Sequence, residues 1–283
     1  RNEWIGFYEN SDKEDFTLER FGFETNLHRN FKKYMGLSFG YKFENTTAKN
    51  LIDELDQLDE GYVNFSGVQS GFSYIRIDNL LTPHKGTFFK LKGEYNSKLF
   101  GSTFEFIKTE VQVTQHFPVS ERVTFSIGGR LGFMKSLDSG IDIPIQVKFF
   151  NGGGNTIRGY GHNSIGPQVD GKSIGGEVRG IFNTELRFPL TLNTTKQFGV
   201  VFFDAGFLEE SYDTLDDPTL YTSVGIGYRL LSPIGPIRLD LGVGLKNRRE
   251  DEDINFEHDK FEIKNLYLNG YKARLHLSFG FAF

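Results

Sequence analysis

Apolar and polar side chains alternate, residue by residue, along most of this chain. Ile237, Leu239, Leu241, Val243 and Leu245 are interleaved with Arg238, Asp240, Gly242, Gly244 and Lys246. A strand turns successive side chains to opposite faces, so a period of two marks a strand with one apolar and one polar face. The same pattern sets Val123, Phe125, Ile127, Leu131 and Phe133 against Thr124, Ser126, Gly128, Arg130 and Gly132. Near the start, Phe21, Phe23 and Leu27 oppose Arg20, Glu24 and His28, and Met35 to Phe43 continues the alternation. The period recurs in about twelve segments, which predicts an all-β chain. The first segment, Trp4 to Tyr8, reads as a short strand containing Phe7. One stretch differs: Leu51, Ile52, Leu55 and Leu58 recur at helical spacing, which predicts a short amphipathic helix within residues 46–60.

Two further features separate a membrane barrel from a soluble sandwich. Charged residues sit on nearly every polar face, while the apolar faces are Phe, Leu, Val and Ile almost throughout. Connections also alternate in length. Short ones fall at 29–32, 78–86, 117–121, 189–197 and 231–236, and long ones at 44–61, 137–172, 208–219 and 247–268. An even set of strands, a polar lumen and long loops at one end predict a transmembrane antiparallel β-barrel. The lipid bilayer is then its surroundings, and the outer membrane of a Gram-negative bacterium its place. No apolar run reaches the ~18 residues of a membrane-crossing helix. Residues 1–283 read as one barrel domain without a periplasmic domain.

Composition narrows the chemistry. The chain has 283 residues, with 30 Phe, 12 Tyr, 33 Gly, a single Trp and no Cys. Lack of Cys removes disulfides and thiolate metal sites. The formal net charge of −5 gives no case for nucleic acid. Neither GxSxG nor HExxH occurs, and the six His show no ligand spacing. No catalytic residue, cofactor or metal is therefore expected, and the protein is not expected to be an enzyme. The acidic run at 250–253 reads as a solvated charge run.

The loop at 137–172, between the seventh and eighth predicted strands, carries the densest motif. Phe149-Phe150-Asn151 leads into Gly152, Gly153 and Gly154, then Ile157-Arg158-Gly159-Tyr160, then Ile165-Gly166-Pro167. Glycines let backbone bend or approach another surface closely. A phosphate cradle would need GxxxxGK[ST], or GxGxxG between strand and helix, and neither is present. Loops this long inside a regular β-array are usually functional.

Taken together, these stretches resemble the BamA/TamA superfamily of outer-membrane assembly barrels. The loop motif is similar to the family's inward-folded sixth extracellular loop. Phe202-Phe203-Asp204-Ala205-Gly206 and the turn Ser232-Pro233-Ile234-Gly235-Pro236 followed by Ile237-Arg238-Leu239-Asp240 resemble its later strands. Phe279, Phe281 and Phe283 resemble a C-terminal outer-membrane insertion signal. The likeness is strong over 123–283 and weaker before. It implies that Arg158 sits inside the barrel and pairs with Glu185 and Asp204, and the alternation independently turns both acids to the polar face. Gly159 and Tyr160 complete this loop lock. The family's barrels usually carry more strands and follow periplasmic repeats, so this chain resembles its reduced members.

The resemblance implies insertion or translocation of client outer-membrane proteins. The predicted route is a weak seam between the first strand, with Trp4 and Phe7, and the last, ending at Phe283. An exposed strand edge can template an incoming strand. The same seam leaves open a homodimer. The alternative function is a structural or dimeric barrel, or a pore or anchor for a separate passenger such as a patatin-like lipase.

Overall fold

The computed structural model describes residues 2–12, 17–49, 61–191, 196–233, 235–245, 266–268 and 271–279. Among the described residues the elements are strands, apart from three short 3-10 turns at Lys98–Phe100, Ile145–Val147 and Tyr212–Thr214. Seven strands come first: β1 (Asn2–Asp12), β2 (Thr17–Lys32), β3 (Met35–Lys49), β4 (Gly61–Ile77), β5 (Gly86–Asn96), β6 (Phe106–Pro118) and β7 (Thr124–Ser136). Inside the long loop lie the two-residue strands β8 (Gln168–Val169) and β9 (Lys172–Ser173). Then follow β10 (Val178–Pro189), β11 (Gln197–Glu209), β12 (Tyr221–Ser232), β13 (Gly235–Gly244), β14 (Leu266–Leu268) and β15 (Tyr271–Phe279). One sheet runs in the order β1 to β7, then β10 to β13, then β15 and β14, while β8 and β9 pair separately. The registers given for its strand pairs are antiparallel.

The two faces of this sheet invert the usual soluble pattern. Phe39 is 57% exposed and Ile226 60% exposed, with Phe21, Leu37, Val201 and Leu277 also open. Glu44, Ser66, His116, Asp204, Arg238 and Asp240 are buried. Water would penalise so much exposed apolar surface, whereas lipid favours it and leaves the polar face for the interior. Along β11 the parity is strict: Val200, Phe202 and Asp204 are buried, while Val201 and Phe203 are exposed.

Contacts divide the chain into two compact units. The first comprises residues 1–75, 89–111 and 132–149. Its interior includes Phe65, whose ring meets Phe104 and Phe106 at centroid distances of 6.4 and 6.0 Å. The second comprises residues 76–88, 112–131 and 150–283, and it holds the Arg158 motif.

Three expectations change. The first strand is eleven residues, not the short Trp4–Tyr8 segment, and it pairs with β2 along its whole length. A cross-strand ion pair helps to extend it: Arg20 lies opposite Glu9 and its Nε donates to Glu9 Oε2 at 2.8 Å. The helix at 46–60 is not formed at its start, because Thr46 to Lys49 continue β3. There Thr46 is buried and its Oγ1 donates to Glu44 Oε1 at 3.0 Å, which holds it on the polar face. The remainder of that helix, 50–60, lies outside the described residues, as do Phe281, Phe283 and the acidic run at 250–253. Finally, the long loop contains the β8–β9 hairpin, which alternation did not reveal. Two-residue strands are too short to express a period.

A charge on the exposed face should be costly. Ile226→Lys is expected to lower unfolding free energy in lipid vesicles by about 2–4 kcal/mol, as for a cation near the bilayer midplane. Urea titration followed by tryptophan fluorescence would measure it.

Candidate functional site

The site is built on the polar face of β10 to β13 and β15, where alternation places a charged residue on strand after strand. Glu185 stands on β10, Asp204 on β11, Arg229 on β12, and Arg238 and Asp240 on β13. In register, Asn183 lies opposite Asp204, Arg229 opposite Arg238, and Asp240 opposite His276 of β15.

Arg158 reaches this wall from the loop. Its Nε and Nη2 donate to the two carboxylate oxygens of Asp204, each at 2.8 Å. The planar guanidinium thus grips the carboxylate in bidentate fashion. Its Nη1 donates to Glu185 Oε2 at 3.1 Å and lies 3.7 Å from Asp240 Oδ1. The backbone N–H of Arg158 adds a fourth bond, to Asp204 Oδ2 at 3.0 Å. The guanidinium also lies 3.6 Å from the centroid of the Phe202 ring, a cation–π contact. Arg229 closes the network, donating to Asp240 Oδ1 at 2.7 Å and to Glu185 Oε2 at 2.9 Å.

The neighbouring loop residues are fixed as firmly. Gly159 has φ +90°, and a Cβ there would meet the Val243 nitrogen at 2.9 Å. Gly242 answers from the strand, where a Cβ would meet the Gly159 nitrogen at 2.6 Å. Two glycines therefore let loop and strand backbones touch. The Gly159 N–H donates to His276 Nε2 at 3.0 Å, so that ring nitrogen carries no proton. Tyr160 donates its hydroxyl to Thr222 O at 2.9 Å and meets Tyr221 edge to face. Gly152 and Gly153 take positive φ, and the Gly152 N–H donates to Thr156 Oγ1 at 2.8 Å. Gly154 lies against Ser278 and His276. Asn183 bridges the two layers, donating to Thr156 O and to Asp204 Oδ1.

Arg158, Gly159, Tyr160, Glu185 and Asp204 are thus brought together, with the three loop glycines beside them. Trp4 and Phe7 lie on β1 in the other unit, Trp4 exposed and Phe7 half-buried. Phe279 ends β15. Sequence reasoning did not assign Arg229, Arg238, Asp240 or His276 to the site, yet parity had placed Arg238 and Asp240 on a polar face. Among the described residues there is no cluster of three or more metal-ligating side chains.

A second connection folds onto the same face. The turn after β4 is knotted around Asp78, whose Oδ1 accepts from the backbone N–H of Asn79, His84 and Lys85 at 2.9, 2.9 and 3.1 Å. Pro83 O accepts from Arg187 of β10, and His84 Nδ1 shares a 2.6 Å hydrogen bond with Thr124 Oγ1.

An inside-out antiparallel sheet with a loop ion-paired to its polar face defines the outer-membrane β-barrel class. Residues 2–283 match the Omp85 superfamily domain, and the chain belongs to that superfamily. It is 26% identical over 245 residues to the outer membrane protein assembly factor BamA of Nitratidesulfovibrio vulgaris, covering 84% of this chain and 31% of that one. It is also 26% identical over 221 residues to BamA of Neisseria meningitidis serogroup B, covering 66% of this chain and 27% of that one. The chain therefore spans under a third of the length of these relatives. The crystal structure of BamA from Haemophilus ducreyi lacking POTRA domains 1–3 has the same fold, with a TM-score of 0.74 at 18% identity over 87% of this chain and 56% of that one. The strands found here thus belong to a transmembrane barrel of the outer membrane, with the long loop turned inward between β7 and β10.

Two outcomes follow. Asp204→Ala strips the buried Arg158 of its bidentate partner and is expected to cost about 3–5 kcal/mol in equilibrium unfolding. At Asp78, burial raises the carboxyl pKa, but the backbone N–H donors of His84, Lys85 and Asn79 outweigh it and hold it below the usual carboxylate range. A depressed folded pKa means the contribution is complete above the unfolded value and is lost as pH falls through the folded one. Protection of the His84 and Lys85 amides, taken relative to intrinsic exchange at each pH, should be full at neutrality and fall only below the usual carboxylate range. Asp78→Ala should abolish that pH dependence.

Proposed function

We propose that this chain is the barrel of an outer-membrane protein assembly factor, which inserts client barrel proteins at a seam between β1 and β15. Membership of the Omp85 superfamily and the likeness to BamA carry the assembly role. The observation that favours the seam is the place of β1, which ends the sheet order with β2 as its one hydrogen-bonded neighbour among the described residues. A strand edge with free N–H and C=O groups can pair with an incoming strand. Trp4 and Tyr8 give that strand an apolar, exposed side suited to lipid. The length of β1 adds nothing to this reading, since all of its residues are paired with β2. In this reading the loop lock holds β10 to β13 and β15 in one conformation, because a satisfied buried ion network disfavours alternative packings.

A chain without Cys allows a unique engineered pair. Cys introduced at Phe7 and Leu277, oxidised in reconstituted vesicles, is expected to stop insertion of a client barrel while this barrel stays folded, and reduction should restore it. Unchanged insertion in the crosslinked form would favour the structural or dimeric barrel serving a separate passenger.

A further inference from the structure

Near the end of β2 the alternation breaks, and the break turns cations toward lipid. Asn30 lies opposite Gly36 and Lys32 opposite Met35, so Phe31 is an extra residue in the ladder. A one-residue bulge reverses parity beyond it. Before the bulge the odd positions of β2 face outward, with Leu27 exposed and Arg29 two residues on. After it the outward position is Lys32, whose partner Met35 shares a face with the exposed Leu37 and Phe39. Phe31 points the same way: its ring lies 6.4 Å from that of Phe72, and Phe72 stands opposite Leu37. Asn30 keeps to the other face, where a Cβ on Gly36 would meet its Oδ1 and Ser73 Oγ at 3.0 Å.

Lys33 follows in the tight turn to β3, with its Nζ 5.1 Å from the Tyr34 ring centroid. Tyr34 in turn meets Tyr74 edge to face. Arg29, Lys32 and Lys33 are all exposed, and among the described residues none has a carboxylate within ion-pair distance. Glu3, an acid on the adjoining β1, lies on the other face beside His28 at 3.4 Å. On a lipid-facing wall a cation costs most at the midplane and little at the interface. Short turns mark the periplasmic end of such barrels, so this turn lies at the inner leaflet. The Phe31, Tyr34, Phe72 and Tyr74 rings then sit at the level of an interfacial aromatic girdle.

We propose that the outward face at the β2–β3 turn docks an anionic phospholipid of the inner leaflet. Arg29, Lys32 and Lys33 hold its phosphate, and its acyl chains lie along Leu27, Leu37 and Phe39. Three cations without acids call for a net anion. A zwitterionic lipid fits less well, because its headgroup brings an ammonium group that the same cations repel. An acidic peptide would have to occupy a face that lipid covers.

The test uses the folded chain in vesicles of phosphatidylcholine with a minor fraction of phosphatidylglycerol. One lipid or the other carries a diazirine at the top of an acyl chain. Photolabelling within residues 27–39 is expected to favour phosphatidylglycerol about tenfold or more, at roughly fivefold per cation. The preference should collapse at about 1 M salt. Changing Arg29, Lys32 and Lys33 together to Gln should remove it, while phosphatidylcholine still labels the same residues and so reports a folded, inserted barrel. Arg29→Lys keeps the charge and should keep the preference. Equal labelling by the two lipids, or an undiminished preference in the folded triple variant, would overturn the proposal. Displacement by inorganic phosphate would overturn it in favour of a free anion, and displacement by an acidic peptide in favour of a protein partner.

Discussion

A guanidinium buried among strands needs anions, and the arrangement of Arg158 follows from that need. Moving an ion out of water costs several kcal/mol even after the surroundings relax. Here the cost is met by two bonds to Asp204, one to Glu185 and the face of Phe202. The two acids stand on adjacent strands, so the loop can satisfy Arg158 only at one height and one position on the wall. Arg229 ties Glu185 to Asp240 and extends that constraint to β12 and β13. Removing any member exposes the others to an unpaired charge, which makes the network a unit.

The inverted faces of the sheet are the second condition. A soluble sandwich buries its Phe and Leu and wets its Arg and Glu. This protein does the reverse, with Phe39, Ile226 and Leu277 open and Asp204, Arg238 and Asp240 enclosed. Within the sheet, inner strands pair their backbone groups with neighbours on both sides, so lipid there meets side chains. The interior then has room for charge, provided each charge finds a partner. Loop and turn supply those partners where the strands fall short: Gly154 O for Arg238, and Pro83 O for Arg187.

Much of this was legible one residue at a time. Alternation located strands β2 to β7, β10 to β13 and β15 closely, because a half-polar strand writes its period directly into the chain. It also turned Glu185 and Asp204 to the polar face. It failed where the signal is short or mixed. Thr46 and Thr47 read as a helix start, yet they extend β3 because Asn45 pairs with Asn64 and Thr46 with Glu44. The end of β1 was missed because Glu9 and Asn10 look like a turn until Arg20 is placed opposite Glu9. Arg238 and Asp240 carried the right parity, but parity names a face and not a partner.

What the sequence determined by itself is the architecture: a period of two, apolar outward sets and alternating connection lengths admit few folds other than a membrane barrel. The motif around Arg158 likewise marked the loop that matters. What only the tertiary structure decided is which charges meet. Strand register sets Asn183 beside Asp204 and Arg229 beside Arg238, and register is fixed by hydrogen bonds between strands, which alternation along one strand does not record. The contact of Gly159 with Gly242 is of the same kind, since residues far apart in the chain must both lack a side chain for the loop to reach the wall. Local composition records which face a residue occupies, and only the folded chain brings one face's charges within reach of each other.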